Sequence, residues 1–193
     1  MKGTGKLWLP GLAHKPSNNS DERPGKGEVD LLVIHNISLP PGEFGGLYIE
    51  DLFLNRLDPQ LHPYFAEIIH LEVSSHLLIR RDGSALQFVA LDRRAWHAGL
   101  SSFCGRENCN DFSIGIELEG TDDDPFTEAQ YGRLCKLTAE IQALFPAIHE
   151  ERIVGHSDIA PGRKTDPGPN FDWAHYRGLL AGNEAERENI SES

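Results

Sequence analysis

What this sequence lacks sets its first limits. No apolar run approaches the roughly 20 residues that a membrane-spanning helix needs, so a helical membrane protein is excluded. The opening stretch, MKGTGKLWLPGLAHKPSNNSDERPGKGE, carries lysines but no apolar segment of secretory-signal length. The expected compartment is the cytoplasm, unless a leader has been removed. Cysteine is scarce: Cys104, Cys109 and Cys135 are odd in number and form no C-x-x-C pair, which fits a reducing compartment. Cys104 and Cys109 have a spacing that a metal could use, yet no second pair completes it, and buried or incidental thiols are expected. Positive charge is also short, with 18 Lys and Arg against 30 Asp and Glu and a net charge of -12. A phosphate-backbone partner needs clustered Lys and Arg, so nucleic acid is excluded as a partner. The acidic surplus collects in TDDD (121–124) and NEAERENISES (183–193), where it reads as solvation. No internal repeat appears.

What is present fits one domain of 193 residues, able to bury roughly 70% of the surface its unfolded chain exposes. The expected organisation is an irregular lead-in over 1–28, a single domain over 29–181 and an acidic tail over 182–193. VDLLVIH (29–35) is an almost wholly apolar run that suits a strand buried on both faces. A short helix is expected over about 48–55, followed by an irregular or briefly helical stretch. SSHLLIRR and SALQFVAL flank Asp82-Gly83, a two-residue hairpin signal. FSIGIELE (112–119) alternates, with Phe112, Ile114, Ile116 and Leu118 on one face and Ser113, Gly115, Glu117 and Glu119 on the other. Tyr131, Leu134, Leu137, Ile141 and Leu144 form the apolar face of an amphipathic helix, with a Thr127–Gln130 capping box. RIVGH (152–156) is a further strand ending on a histidine, and Asp172 caps a last helix. Interspersed strands and helices with one hairpin predict an α/β fold, a central mixed sheet of about five strands flanked by helices.

The nine histidines divide by context. His14, His149 and His175 read as surface groups, His62 and His70 as packing or capping groups, and His76 as a satisfied core histidine. His35 and His156 differ, because each closes an apolar strand just before a polar or Gly/Pro-bearing loop. Strand ends of that kind line ligand crevices, and two such histidines can share a metal. The loop GHSDIAPGRKTDPGP (155–169) holds Asp158 and Asp166, either of which could supply the carboxylate of a His₂-carboxylate zinc set. Glu117 and Glu119 are alternative proton acceptors for a metal-bound water, and periodicity does not separate them. Lys164 offers a positive charge to an oxyanion or a surface pair with Asp166. RAWHAG (94–99) places Trp96 and His97 in a turn, where an aromatic either packs in the core or covers a substrate group.

LLVIHNISLPPGEFGG, RAWHAG, CNDFSIGIELEGTD and GHSDIAPGRKTDPGPNFDWA together resemble the zinc-type N-acetylmuramoyl-L-alanine amidases. The similarity runs from about Trp8 to Leu180 and is closest to the cytoplasmic branch that cuts 1,6-anhydromuropeptides in peptidoglycan recycling. The resemblance implies the mixed sheet also seen in peptidoglycan recognition proteins. It implies Zn2+ held by His35, His156 and Asp166, Glu117 as proton acceptor and donor, and Lys164 as transition-state stabiliser. It further implies substrate contacts at Asn36, Phe44, Trp96, His97, Arg106 and Asn110, with a small muropeptide as partner. A non-catalytic peptidoglycan-binding module and a secreted wall-lytic amidase are the competing readings. The first is weighed against the complete ligand set, the second against the absence of a signal segment and of wall-binding repeats.

Overall fold

The computed structural model describes residues 7–25 and 28–191, with side chains described through residue 182. The first six residues of the expected lead-in, its residues 26 and 27, and the last two of the expected tail lie outside the described residues. Two short strands, β1 (Ala13–His14) and β2 (Ser20–Asp21), precede the apolar run, which folds as β3 (Leu31–Ile37). Helices α1 (Tyr48–Phe53) and α2 (Pro63–Ile68) follow, and His62 Nδ1 caps the second by accepting from Tyr64 N. Strands β4 (Leu77–Ile79) and β5 (Ala85–Gln87) make the expected hairpin. Strands β6 (Arg94–Ala95), β7 (Ser102–Phe103) and β8 (Arg106–Glu107) are short, and β9 (Ser113–Glu119) is long. The chain then forms α3 (Glu128–Leu144), β10 (Ile153–Gly155), α4 (His156–Ile159) and α5 (Trp173–Ser191).

The main sheet has six strands in the order β1-β5-β4-β9-β3-β10. All neighbours in it are parallel except the β4–β5 hairpin, so the sheet is mixed as expected. Its centre is the β3–β9 pair, in which His35 lies directly opposite Glu117. One face of that pair presents Leu32, Ile34, Ile114 and Ile116 to Leu134, Leu137 and Ile141 of α3 and to Tyr176 of α5. The other face packs Leu31 and Val33 against Phe112 and Ile159, and Leu78 of β4 against Phe53, Phe65 and Phe88. Both residues of the capping box on α3 close as expected, with Gln130 N donating to Thr127 Oγ1 and Thr127 N to Gln130 Oε1.

Several expectations change. The lead-in expected to be irregular supplies β1, which pairs with β5, and β2, which pairs with β6. Its Leu9 is buried in the main core. Helix α5 continues past residue 181, so the boundary drawn there falls inside a helix rather than at a domain end. Six strands, not about five, make up the main sheet. The hairpin loop has three residues between Arg80 and Ser84, whose backbone N–H and C=O are bonded at 2.8 Å. Gly83 sits at φ +80°, the left-handed residue that follows a type I turn in three-residue loops. Leu144, at the end of the apolar face of α3, is exposed. His156 opens α4 rather than closing the strand before it.

Candidate active site

The parallel strands β3, β9 and β10 deliver their C-terminal ends to one edge, where crevices form in open α/β sheets. A cleft of about 360 Å³ opens there. His35, Glu117, His156, Lys164 and Asp166 all line it, although they come from three separate parts of the chain. Its opposite wall is apolar and includes Leu39, Phe53, Tyr64 and Ile68. Nothing in the spacing or chemistry of these residues marks them as a wall of the cleft.

Three ligand atoms converge at the floor. His35 Nδ1 lies 3.0 Å from His156 Nδ1 and 2.9 Å from Asp166 Oδ2, and His156 Nδ1 lies 3.0 Å from the same oxygen. Both histidines are buried. The hydrogen-bond network assigns their protons. Ala98 O, which can only accept, is 3.0 Å from His156 Nε2, so that ring carries its proton outward and turns a bare Nδ1 inward. His35 Nε2 faces His97 Nδ1 at 2.9 Å, and His97 Nε2 faces Ser113 Oγ at 3.1 Å. With each ring donating outward, His35 Nδ1 is also bare. Burial drives the His35 pKa down to about 4, which keeps the ring neutral. Two imidazole lone pairs and a carboxylate oxygen within about 3 Å repel one another unless a cation lies among them. The donor set therefore fits a divalent metal, and each histidine has the outward hydrogen bond that metal ligands usually make.

The choices left open by spacing separate by hydrogen bonding. Asp158 Oδ2 accepts from Gly155 N at 2.7 Å and is spent on the start of α4. Glu119 is buried with partners on both oxygens: Gly45 N and Arg80 on one, Arg81 N on the other. Glu117 is also buried, yet its Oε2 has no partner among the described residues. Burial, reinforced by the Asp166 charge and opposed by Lys164, pushes its pKa well above the ordinary carboxyl value. Lys164 is exposed at the cleft mouth. Asp166 Oδ2 faces the Nδ1 atoms of the two histidines instead of Lys164.

The expected substrate contacts divide. Asn36, Trp96 and His97 line the cleft. Asn36 Nδ2 donates to Asp122 Oδ1 and Pro167 O, joining the end of β3 to the loop that carries Asp166. Trp96 Nε1 donates to Asp21 at 3.2 Å. Phe44 lies outside the cleft, beneath the guanidinium of Arg81. Arg106 is also elsewhere, stacked 3.7 Å over Phe112 and paired with Asp30. Asn110 is buried and turns its Oδ1 to the backbone N–H groups of His97 and Ala98. One feature was partly legible: Gly115 sits under the His97 ring, and a Cβ there would lie 2.6 Å from it. A glycine inside a strand pattern signals such close approach. The carbonyl of Ala98 carries no sequence signal at all.

Residues 25–169 match the family model described as N-acetylmuramoyl-L-alanine amidase. The chain is 58% identical over 174 residues to 1,6-anhydro-N-acetylmuramyl-L-alanine amidase AmpD of Escherichia coli (strain K12), covering 90% of this chain and 94% of that protein. It superposes on a crystal structure of a selenomethionine AmpD derivative with a TM-score of 0.87 at 57% identity, over 90% of this chain and 96% of the other. A complex of the amidase AmiD from E. coli with anhydro-N-acetylmuramic acid-L-Ala-D-gamma-Glu-L-Lys matches with a TM-score of 0.59 at 30% identity, over 82% of this chain and 60% of the other.

Proposed function

This chain belongs to the N-acetylmuramoyl-L-alanine amidase family, and we propose on that premise that it is a zinc hydrolase of peptidoglycan recycling. Its substrate is a soluble 1,6-anhydromuropeptide, cut at the amide between the lactyl group of the anhydro-N-acetylmuramic acid and L-alanine. His35, His156 and Asp166, whose Nδ1, Nδ1 and Oδ2 atoms converge, would hold the zinc. When bound, zinc supplies a Lewis acid that polarises a carbonyl and brings the pKa of water to about 7. Glu117 accepts the proton of the attacking water and returns it to the alanine nitrogen as the amide bond breaks. Its raised pKa suits both halves of that task. Lys164, at the mouth, places a positive charge near the developing oxyanion. Asn36, Trp96 and His97 line the substrate's path, and the apolar wall around Phe53 and Tyr64 covers its less polar parts. No described helix is long and apolar enough to cross a membrane. All three cysteines are free thiols, and we place the enzyme in the cytoplasm on their account.

The observation that carries this reading is the unpartnered buried oxygen of Glu117 in the same cleft as three converging ligand atoms. A buried carboxyl that makes no hydrogen bond is costly, and here it is left free beside the lone pairs that fit a metal. Product analysis on a defined anhydromuropeptide, with and without a chelator, tests it. Release of the intact peptide stem with a free L-alanine amine, abolished by chelation and restored by zinc, is expected. Muropeptide binding without cleavage would leave only a recognition module.

A further inference from the structure

The segment 96–98 supplies the outward partner of both histidines in the proposed ligand set. His97 Nδ1 accepts from His35 Nε2, and Ala98 O accepts from His156 Nε2. Both contacts depend on where that segment lies, and one atom fixes it at two successive residues. Asn110 Oδ1 accepts from His97 N at 3.1 Å and from Ala98 N at 2.8 Å. Asn110 is 8% exposed and sits in a single 3₁₀ turn, residues 109–111. We infer that Asn110 is a positioning residue for the metal centre: one side-chain oxygen sets the orientation and tautomer of both ligating histidines. It is not among the residues that line the cleft, so its expected role as a substrate contact gives way to this one.

The physical argument is one of shared leverage. A ligating imidazole is fixed by the hydrogen bond on its far nitrogen. Here the two far partners are neighbours in sequence, so a shift of one moves the other. Arg163 also donates to Ala98 O, at 2.7 Å, but it holds only that end of the segment. Asn110 alone, among the described residues, grips both backbone N–H groups. Without its acceptor, two backbone donors lose their partner and the segment is free to shift by the few tenths of an ångström that a metal ligand does not tolerate.

The inference rests on the proposed ligand set, and the experiment separates the two. Zinc affinity of the full-length, metal-free chain is measured by competition with a chromophoric chelator. Asn110→Leu keeps the side-chain shape but removes the acceptor, and its affinity is expected to fall about 10–100-fold. Asn110→Asp keeps an oxygen acceptor and is expected to hold both its affinity and its KM within a few-fold of the parent. Cobalt-loaded Asn110→Leu should show a shifted visible absorption, because the ligand geometry has changed. A lowered melting temperature with parental affinity and spectrum would overturn the inference, since the residue would then serve only the fold. A raised KM in Asn110→Asp at unchanged zinc affinity would overturn it too, by making Asn110 a substrate contact. That second arm decides the matter even where the leucine variant does not fold. Tight zinc binding by His35→Ala would sink the ligand set itself, whatever the Asn110 variants do.

Discussion

At the residue scale, the question is why one carboxyl and not its neighbour two positions on is suited to move protons. Glu117 and Glu119 share a face of β9 and both are buried. Glu119 is occupied by Arg80, Arg81 N and Gly45 N. Glu117 has an idle oxygen, and its burial favours the protonated form. A general acid–base group contributes about 10²–10⁴-fold to rate. Glu117→Gln, nearly the same shape, is therefore expected to lower kcat by that order while the protein still takes up zinc. His35→Ala and Asp166→Ala should lose metal and turnover together. Metal analysis beside a rate assay checks the split, and full activity in Glu117→Gln would remove it from the mechanism. The sequence could not separate the two glutamates, because their difference lies in partners more than 30 positions away in the chain. Asp158 and Asp166 separate locally instead: Asp158 accepts from Gly155 N, three positions before it.

At the scale of elements, β9 is where fold and site meet. Its apolar residues face α3 and α5, and Ser113 and Gly115 lie under the segment that carries His97. Gly115 leaves room for that ring, and Ser113 Oγ anchors it. Gly115→Ala puts a methyl 2.6 Å from the His97 ring, so the ring, and with it the partner of His35, must move. Overpacking of this kind costs about 1–3 kcal/mol. The variant is expected to melt lower and to bind zinc more weakly than the parent, measured by calorimetry and chelator competition. Unchanged zinc affinity would show that His97 can shift without disturbing His35. The alternation of FSIGIELE made the strand legible, and the apolar run at 29–35 did the same for its neighbour. What alternation could not show is that the polar face of β9 is covered. The cover is RAWHAG, held there by contacts with residues distant in the chain, such as Ser74 and Asn110. Strands β1, β2 and β6 were illegible for a related reason: two residues have no periodicity, and their pairing is decided by the sheet they join.

At the scale of the whole molecule, the fold class was legible because strands and helices alternate with clear signals, whereas the burial of several histidines together was not. His76 is the exception, read from its context as a satisfied core histidine and found as a fully buried ring whose Nδ1 accepts from Gly115 N and whose Nε2 donates to Arg93 O. Burial, with the nearby charge of Arg23, drives its pKa from 6.5 down to about 3. Protonation would turn its Nδ1 acceptor into a donor aimed at the Gly115 N–H, which explains in hydrogen-bond terms why the charged ring is unwelcome. Because the folded-state value is lowered, the unfolded chain binds the extra proton as pH falls through 6.5. The stability linked to His76 is thus fully present above pH 6.5 and is lost progressively towards pH 3. Each such group contributes up to about 1.4 kcal/mol per pH unit inside its window. Urea unfolding from about pH 7.5 down to about pH 5 is expected to show a falling midpoint in the parent. His76→Gln, which keeps an acceptor and a donor but cannot titrate, should start lower and fall less steeply. His35 and His97 are lowered by burial as well, but they contribute to both proteins, so the difference in slope belongs to His76. Equal slopes would mean that the ring finds room for its proton in the folded state, and the buried Gly115–His76–Arg93 link would then not be the rigid support of β9 that its geometry describes.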